Sequence, residues 1–210
     1  MKILLVAATR AEIALLITHF GLPMQNFVRT KDFDVLITGV GMTATAYALG
    51  KHLSGHYKLV LNLGIAGSFN QEIPLSTVVN VVSDEFAELG AENGDTFLSI
   101  DELGFGKTKY IARNNLLNNE VEKLPKVHGI TVNRVHGNQN SIARMMERFN
   151  PEVESMEGAA VIYCCENEAL PCLQIRSISN YVEPRNKANW QIGPAIKNLN
   201  EWAIGFLTNT

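Results

Sequence analysis

The chain is short of the features that mark several large protein classes. It has three cysteines in 210 residues, Cys164, Cys165 and Cys172, and the first two are adjacent. They cannot all pair and show no zinc-type spacing, so buried reduced thiols in a cytoplasmic protein are expected, without a metal or other cofactor. The net charge is only −3, and no run of Lys or Arg supplies an electrostatic footprint for nucleic acid. No apolar run approaches the length of a membrane span. Residues Met1–Ala8 superficially resemble a signal peptide, but the run stops at Arg10 and Glu12 and reads as a first buried strand. Repeats and low-complexity tracts are lacking too.

What is present is an alternation of short apolar runs with helical patterns, and 46% of the residues are hydrophobic. The length fits one domain over 1–210 with a sizeable core. Strands are expected over Ile3–Ala8, Phe33–Thr38, Leu59–Leu63, Thr77–Ser83, Gly129–Val135 and Leu173–Ser179. Several are near-continuous Val, Ile and Leu, as strands covered on both faces should be. Helices are expected over Ala11–Phe20, Thr43–Leu53, Ala112–Leu117, Ser141–Phe149, Met156–Glu168 and Ile196–Leu207. The order implies an α/β fold, a mixed and largely parallel central sheet flanked by helices. The stretch from Glu85 to Val127, punctuated by glycine, reads as a loop-rich insertion without its own core.

Two glycine turns follow strands, Gly39-Val40-Gly41-Met42-Thr43-Ala44 and Gly64-Ile65-Ala66-Gly67-Ser68. Glycine lets backbone N–H groups approach a ligand closely. The first turn reads as the dinucleotide pattern GxGxxA, but the acidic residue that should end the next strand is missing from Leu59-Val60-Leu61-Asn62-Leu63. These turns either pack tightly or line a pocket for another small ligand. Glu12 and Glu157 both fall near helix starts, where each can simply favour the helix dipole. Yet Glu12, Glu157, Arg176 and Asn180 all lie at or beside expected carboxyl ends of strands, where ligands of open α/β sheets bind. Two carboxylates and an amide meet the needs of N-glycosidic cleavage: an aimed water, a stabilised sugar cation and a partner for the leaving base.

Over nearly its whole length the chain resembles the nucleoside phosphorylase and nucleosidase superfamily. The resemblance rests on Ala7–Glu12, Thr38–Gly41, Asn62–Ser68, Ser83–Ala91, Val132–Asn138, Glu154–Ala160 and Arg176–Arg185. It implies a three-layer phosphorylase/hydrolase-like fold and a homo-oligomer with the loop-rich middle near the subunit contact. By the same resemblance, Glu12 activates water with Arg176 orienting it, Glu157 accepts the ribose hydroxyls, Met156 packs against the ribose and Asn180 meets the base. Val40, Gly41, Ile65, Ala66, Gly67, Phe86, His136 and Ser179 complete the implied substrate-binding set, with a core role for Phe86 equally open.

Two departures within the superfamily sharpen the expectation. Phosphate-using relatives carry a basic Gly-Asp-Pro-x-Arg motif where this chain reads Ala8-Thr9-Arg10-Ala11-Glu12. A carboxylate there repels phosphate and suits water, unless Arg10 faces the site. Relatives that cleave adenine nucleosides carry Asp where this chain has Asn180, and an amide NH₂ can instead donate to O6 or N7 of a 6-oxopurine. The resemblance, read with these two departures, implies hydrolysis of a 6-oxopurine nucleoside to hypoxanthine, the substrate bearing a carboxylate tail on its 5′ side. Arg10, His136 and Arg185 are tail partners by type only, and each can equally be an ordinary surface residue. An adenine nucleosidase or a non-catalytic nucleoside-binding protein of the same fold are the alternatives.

Overall fold

The computed structural model describes residues 2–114 and 118–209. The chain opens with β1 (Lys2–Ala7), a 3₁₀ turn (Ala11–Ile13) that runs into α1 (Ala14–His19), β2 (Phe27–Arg29) and β3 (Phe33–Ile37). Next come α2 (Met42–His52), β4 (Tyr57–Ser68), β5 (Val78–Phe86), β6 (Gly90–Asn93), β7 (Thr96–Ser99) and β8 (Lys109–Ile111). The remainder is α3 (Asn119–Glu122), β9 (Lys126–Thr131), α4 (Gln139–Phe149), β10 (Val153–Ser155), α5 (Gly158–Asn167), β11 (Cys172–Tyr181), a 3₁₀ turn (Lys187–Asn189) and α6 (Ile192–Thr208).

The main sheet runs β10-β9-β5-β11-β4-β1-β3-β2, with β8 on β5 and a separate β6-β7 hairpin. Parallel pairs join β1 to β3 and β4, β11 to β4, and β9 to β5 and β10, while β2, β8 and the β5–β11 pair are antiparallel. β10 also pairs antiparallel with the far end of β4, through Val153–Ser68 and Glu154–Gly67. Five strands therefore close a ring: β4, β11, β5, β9 and β10.

Period-two alternation explains why β1 reads as one apolar run. Ile3, Leu5 and Ala7 pack with Leu16 of α1 and Leu199, Ala203 and Phe206 of α6. Leu4 and Val6 face the opposite layer, with Leu49 of α2 and Val161, Ile162 and Cys165 of α5. A strand covered on both sides has no polar face to alternate with. Cys165 and Cys172 are buried and Cys164 half-buried, all as free thiols.

Several boundaries depart from expectation. The first helix is split, its opening turn tightened to 3₁₀. Ala112–Asn114 is not helical, and the rest of the helix expected over 112–117 lies outside the described residues. β4 runs on five residues past Leu63 to Ser68, and the loop-rich middle holds β6, β7, β8 and α3. β9 ends at Thr131, and the N–H and side chain of Asn133 are bound by Glu88. Among the described residues no helix is long and apolar enough to cross a membrane.

Candidate active site

Glu12 is fixed from two sides. Its Oε2 accepts from the Thr9 N–H at 2.9 Å and the Thr9 hydroxyl at 3.0 Å. The Glu12 N–H donates back to the Thr9 hydroxyl at 3.4 Å, so Thr9-x-x-Glu12 is a reciprocal capping box where the chain leaves β1. Oε1 accepts from the Ile65 N–H at 3.2 Å, tying the carboxylate to β4. A Cβ on Gly64 would lie 2.9 Å from Glu12 Oε1 and 3.1 Å from Arg176 Nη1, so the absent side chain lets carboxylate and guanidinium approach the same stretch of β4.

Arg176 is buried on β11, and its Nη2 donates to Asn62 Oδ1 at 2.6 Å. It stands behind the cavity wall, and its Nε has no hydrogen-bond partner among the described residues. No carboxylate lies within ion-pair distance of it among the described residues, so its charge acts on the neighbouring acids through space.

Glu157, at the head of α5, accepts from the Gly41 N–H at 2.9 Å through Oε1. Gly41 has φ +93°, a conformation open to glycine, and this turns its N–H toward the carboxylate at the start of α2. Burial pushes the Glu157 carboxyl above its ordinary range, the Arg176 charge and the Gly41 N–H pull it down, and the charge of Glu12 raises it again.

Asn180 follows a bulge. In the pairing of β11 with β4 the register slips between Ile178 and Asn180, leaving Ser179 unpaired and setting Asn180 opposite Gly67. Bulges beside functional sites re-aim side chains. Asn180 Oδ1 accepts from the Ser179 hydroxyl at 2.8 Å, and its Nδ2 donates to the Tyr181 carbonyl at 3.0 Å.

These elements enclose a cavity of about 410 Å³. Its walls include Glu12, Val40, Ile65, Ala66, Gly67, His136, Met156, Glu157, Ser179 and Asn180. Gly41 serves through its N–H, and Arg176 from behind the wall. Phe86 is not brought there: it lies in a second, apolar cleft with Tyr110 and Tyr163. Arg10 donates to Asn26 at 2.8 Å and does not line the cavity, whereas Arg185 does, its guanidinium 4.9 Å from the Trp190 ring. Sequence reasoning missed Thr9, Asn62, Trp190, Ile192 and Ile196. Only Thr9 carried a readable signal, the capping-box spacing to Glu12. A larger cleft of about 770 Å³ opens beside Lys2, Lys31 and Lys58 and holds none of the expected site residues.

Comparison with known proteins agrees with this architecture. The family model described as the phosphorylase superfamily matches residues 2–204. A futalosine hydrolase of Streptomyces coelicolor is 35% identical over 184 residues, covering 83% of this chain and 78% of the relative. One from Thermus thermophilus is 28% identical over 174 residues, covering 80% and 77%. Among solved structures, a 5′-methylthioadenosine/S-adenosylhomocysteine nucleosidase of Helicobacter pylori superposes with a TM-score of 0.84 at 17% identity, covering 100% of this chain and 99% of that one. The native futalosine hydrolase of H. pylori gives 0.82 at 17% identity, covering 100% and 98%. At that identity the structural likenesses speak for the fold, which the family model and the closer relatives extend to descent: the chain belongs to the phosphorylase superfamily.

Proposed function

We propose that the chain is an N-glycosidase that hydrolyses a 6-oxopurine nucleoside, futalosine, to hypoxanthine and dehypoxanthine futalosine, a step of menaquinone biosynthesis. The observation that carries this is the spacing along β4. The carboxylate of Glu12 meets Gly64 and the amide of Asn180 meets Gly67, three residues on and so about 10 Å along an extended strand. A nucleoside laid between them puts its anomeric carbon toward Glu12 and its base toward Asn180. The names of the relatives at 35% and 28% identity support the same substrate.

Glu12 takes the proton of the attacking water, and the buried guanidinium of Arg176 stands beside the same residue of β4, Gly64, behind the wall. Two unit negative charges ~4 Å apart near a protein surface repel by about 4 kcal/mol, which disfavours phosphate as the nucleophile and leaves water. Arg10, turned to Asn26, does not relieve that repulsion. Glu157 accepts hydrogen bonds from the ribose hydroxyls, which strengthen as the sugar becomes cationic. Met156 packs beside the ribose. The free N–H of the Asn180 amide donates to O6 or N7 of the base.

The protein acts in the cytoplasm as one domain over 1–210 and as a homo-oligomer. Leu89, Phe105 and Tyr163 expose 43%, 81% and 44% of their surface around the apolar cleft that holds Phe86, a face suited to a second copy.

Incubating the purified protein with futalosine, inosine and methylthioadenosine, and quantifying the free base, tests the reading. Hypoxanthine release from futalosine is expected to dominate, and Glu12→Gln should lower its kcat on the order of 10²–10⁴-fold. Preferential adenine release would transfer the chain to the adenine nucleosidases. Inactivity on all three would leave a binding protein.

A further inference from the structure

A purine leaves the ribose faster when it takes up a proton, and the amide of Asn180 can donate a hydrogen bond but cannot give a proton up. The ionisable side chains in the wall of the cavity are Glu12, His136, Glu154, Glu157 and Arg185. Glu12 serves the water, Glu157 the ribose, and arginine does not deprotonate in proteins. That leaves His136 and Glu154, which are joined.

Glu154 is 3% exposed and accepts twice from the same residue: from the His136 backbone N–H at 3.0 Å through Oε1, and from ring Nδ1 at 2.7 Å through Oε2. A buried carboxylate needs such donors, and it stabilises positive charge on the ring in return. With Nδ1 committed, Nε2 is the nitrogen left for the cavity, and among the described residues it has no protein partner. The pair also stands at the base end. A Cβ on Gly67 would lie 3.2 Å from Asn180 Nδ2 and 3.6 Å from Glu154 Cγ, so amide and carboxylate flank one point of β4.

We propose that His136 is the general acid for the leaving base and Glu154 its positioning residue, an inference that rests on the nucleosidase reading above. The C1′–N9 bond breaks with its electron pair left on the purine, and the proton on Nε2 passes to N7, so hypoxanthine departs neutral. Water bonds to C1′ and loses its proton to Glu12. His136 ends neutral and Glu12 protonated, and exchange with solvent restores both. The arrangement follows the general pattern of a proton-transfer group oriented by a third side chain.

The charged groups around the ring are Glu154 from β10 and Arg185 from the segment after β11, whose Cβ would lie 3.2 Å from a Cβ on Gly137. Glu157 and Glu12 line the same cavity, and the uncharged ring of Phe69 lies 6.5 Å away. Glu154→Gln takes away the one carboxylate that meets ring Nδ1, while Arg185 stays in the same cavity wall.

The test is the pH profile of kcat for hypoxanthine release by wild type, His136→Asn and Glu154→Gln, with circular dichroism as the check on folding. His136→Asn is expected to lower kcat on the order of 10²–10⁴-fold with KM little changed, and to lack the limb by which wild-type activity falls on the alkaline side. Glu154→Gln should move that limb to lower pH, an effect that loss of packing alone does not produce. If His136→Asn misfolds, the position of the Glu154→Gln limb decides. A folded His136→Asn with wild-type turnover, or a Glu154→Gln limb that stays in place, overturns the proposal while the nucleosidase reading stands. A wild type that releases no base from any nucleoside overturns both.

Discussion

Asn180 shows how much one side chain's surroundings decide. Its oxygen is occupied by the Ser179 hydroxyl and one hydrogen of its nitrogen by the Tyr181 carbonyl, so the remaining N–H is what it offers the cavity. Asn180→Asp replaces that donor with an acceptor and sets an oxygen against the Tyr181 carbonyl. A hydrogen bond lost with its partner left buried costs ~1–3 kcal/mol, or roughly 5- to 150-fold in kcat/KM for a hypoxanthine nucleoside. Turnover of methylthioadenosine should rise in the same variant, because a carboxyl can accept from the 6-amino group. The ratio of kcat/KM for the two nucleoside classes is the measurement, and an unchanged ratio removes Asn180 from base recognition. Glu12, Glu157 and Asn180 were legible because polar residues just past apolar strands, or at helix starts, fall at one rim of an α/β sheet. Phe86 was not. It shares a face of β5 with Asp84, two residues before it, and that face turns to α5 instead of the cavity. The extra residues that carry β5 through Phe86 follow from pairing with β8 and β9, which no local pattern announces.

At the scale of elements, the head of α5 is where fold and site meet. The apolar pattern predicts a helix from Met156, yet α5 begins at Gly158, because Val153–Ser155 is taken by the strand that closes the ring. Three residues give no period to read, and that is why the ring escaped the sequence while the six longer strands did not. Gly158 shows what the closure demands. A Cβ there would fall 2.1 Å from Asp84 Oδ2 and 2.2 Å from Gln174 Nε2, both in the floor beneath the helix. In an ordinary helix, Gly→Ala stabilises by about 1 kcal/mol. Here the overlap must move the helix off its floor, at a cost of ~1–3 kcal/mol or more. So Gly158→Ala should lower Tm, and the same displacement should pull Glu157 away from the Gly41 N–H and raise KM for the nucleoside. A raised Tm with KM unchanged would show that the helix head is looser than its contacts imply.

The whole molecule answers to pH through the acid in that floor. Asp84 is 1% exposed and accepts from the Thr131 hydroxyl and from Gln174 Nε2, each at 2.8 Å, so it joins β5, β9 and β11 inside the ring. Thr131 Oγ1 in turn accepts from the Ala159 N–H of α5 at 2.7 Å. Burial pushes the Asp84 carboxyl from 3.8 up to about 6, against the pull of its hydrogen bonds and of the Arg176 charge. The folded state therefore holds a proton there that the unfolded chain has released. Its contribution to stability is fully present below about 3.8, and it is lost as pH rises to about 6. The span of roughly two pKa units corresponds to about 3 kcal/mol. Other carboxylates titrate in the same window, so the comparison must be with Asp84→Asn, which removes this proton alone. The new amide can keep its partner: Gln174 Oε1 is buried without a hydrogen bond, and a turned Gln174 presents it to Asn Nδ2. Urea unfolding at intervals from pH 4 to pH 8 should show wild type gaining on Asp84→Asn as pH falls below about 6, with a constant difference above it. A difference constant across the whole range would mean that Asp84 stays ionised inside the ring, held by Arg176 more strongly than burial opposes it.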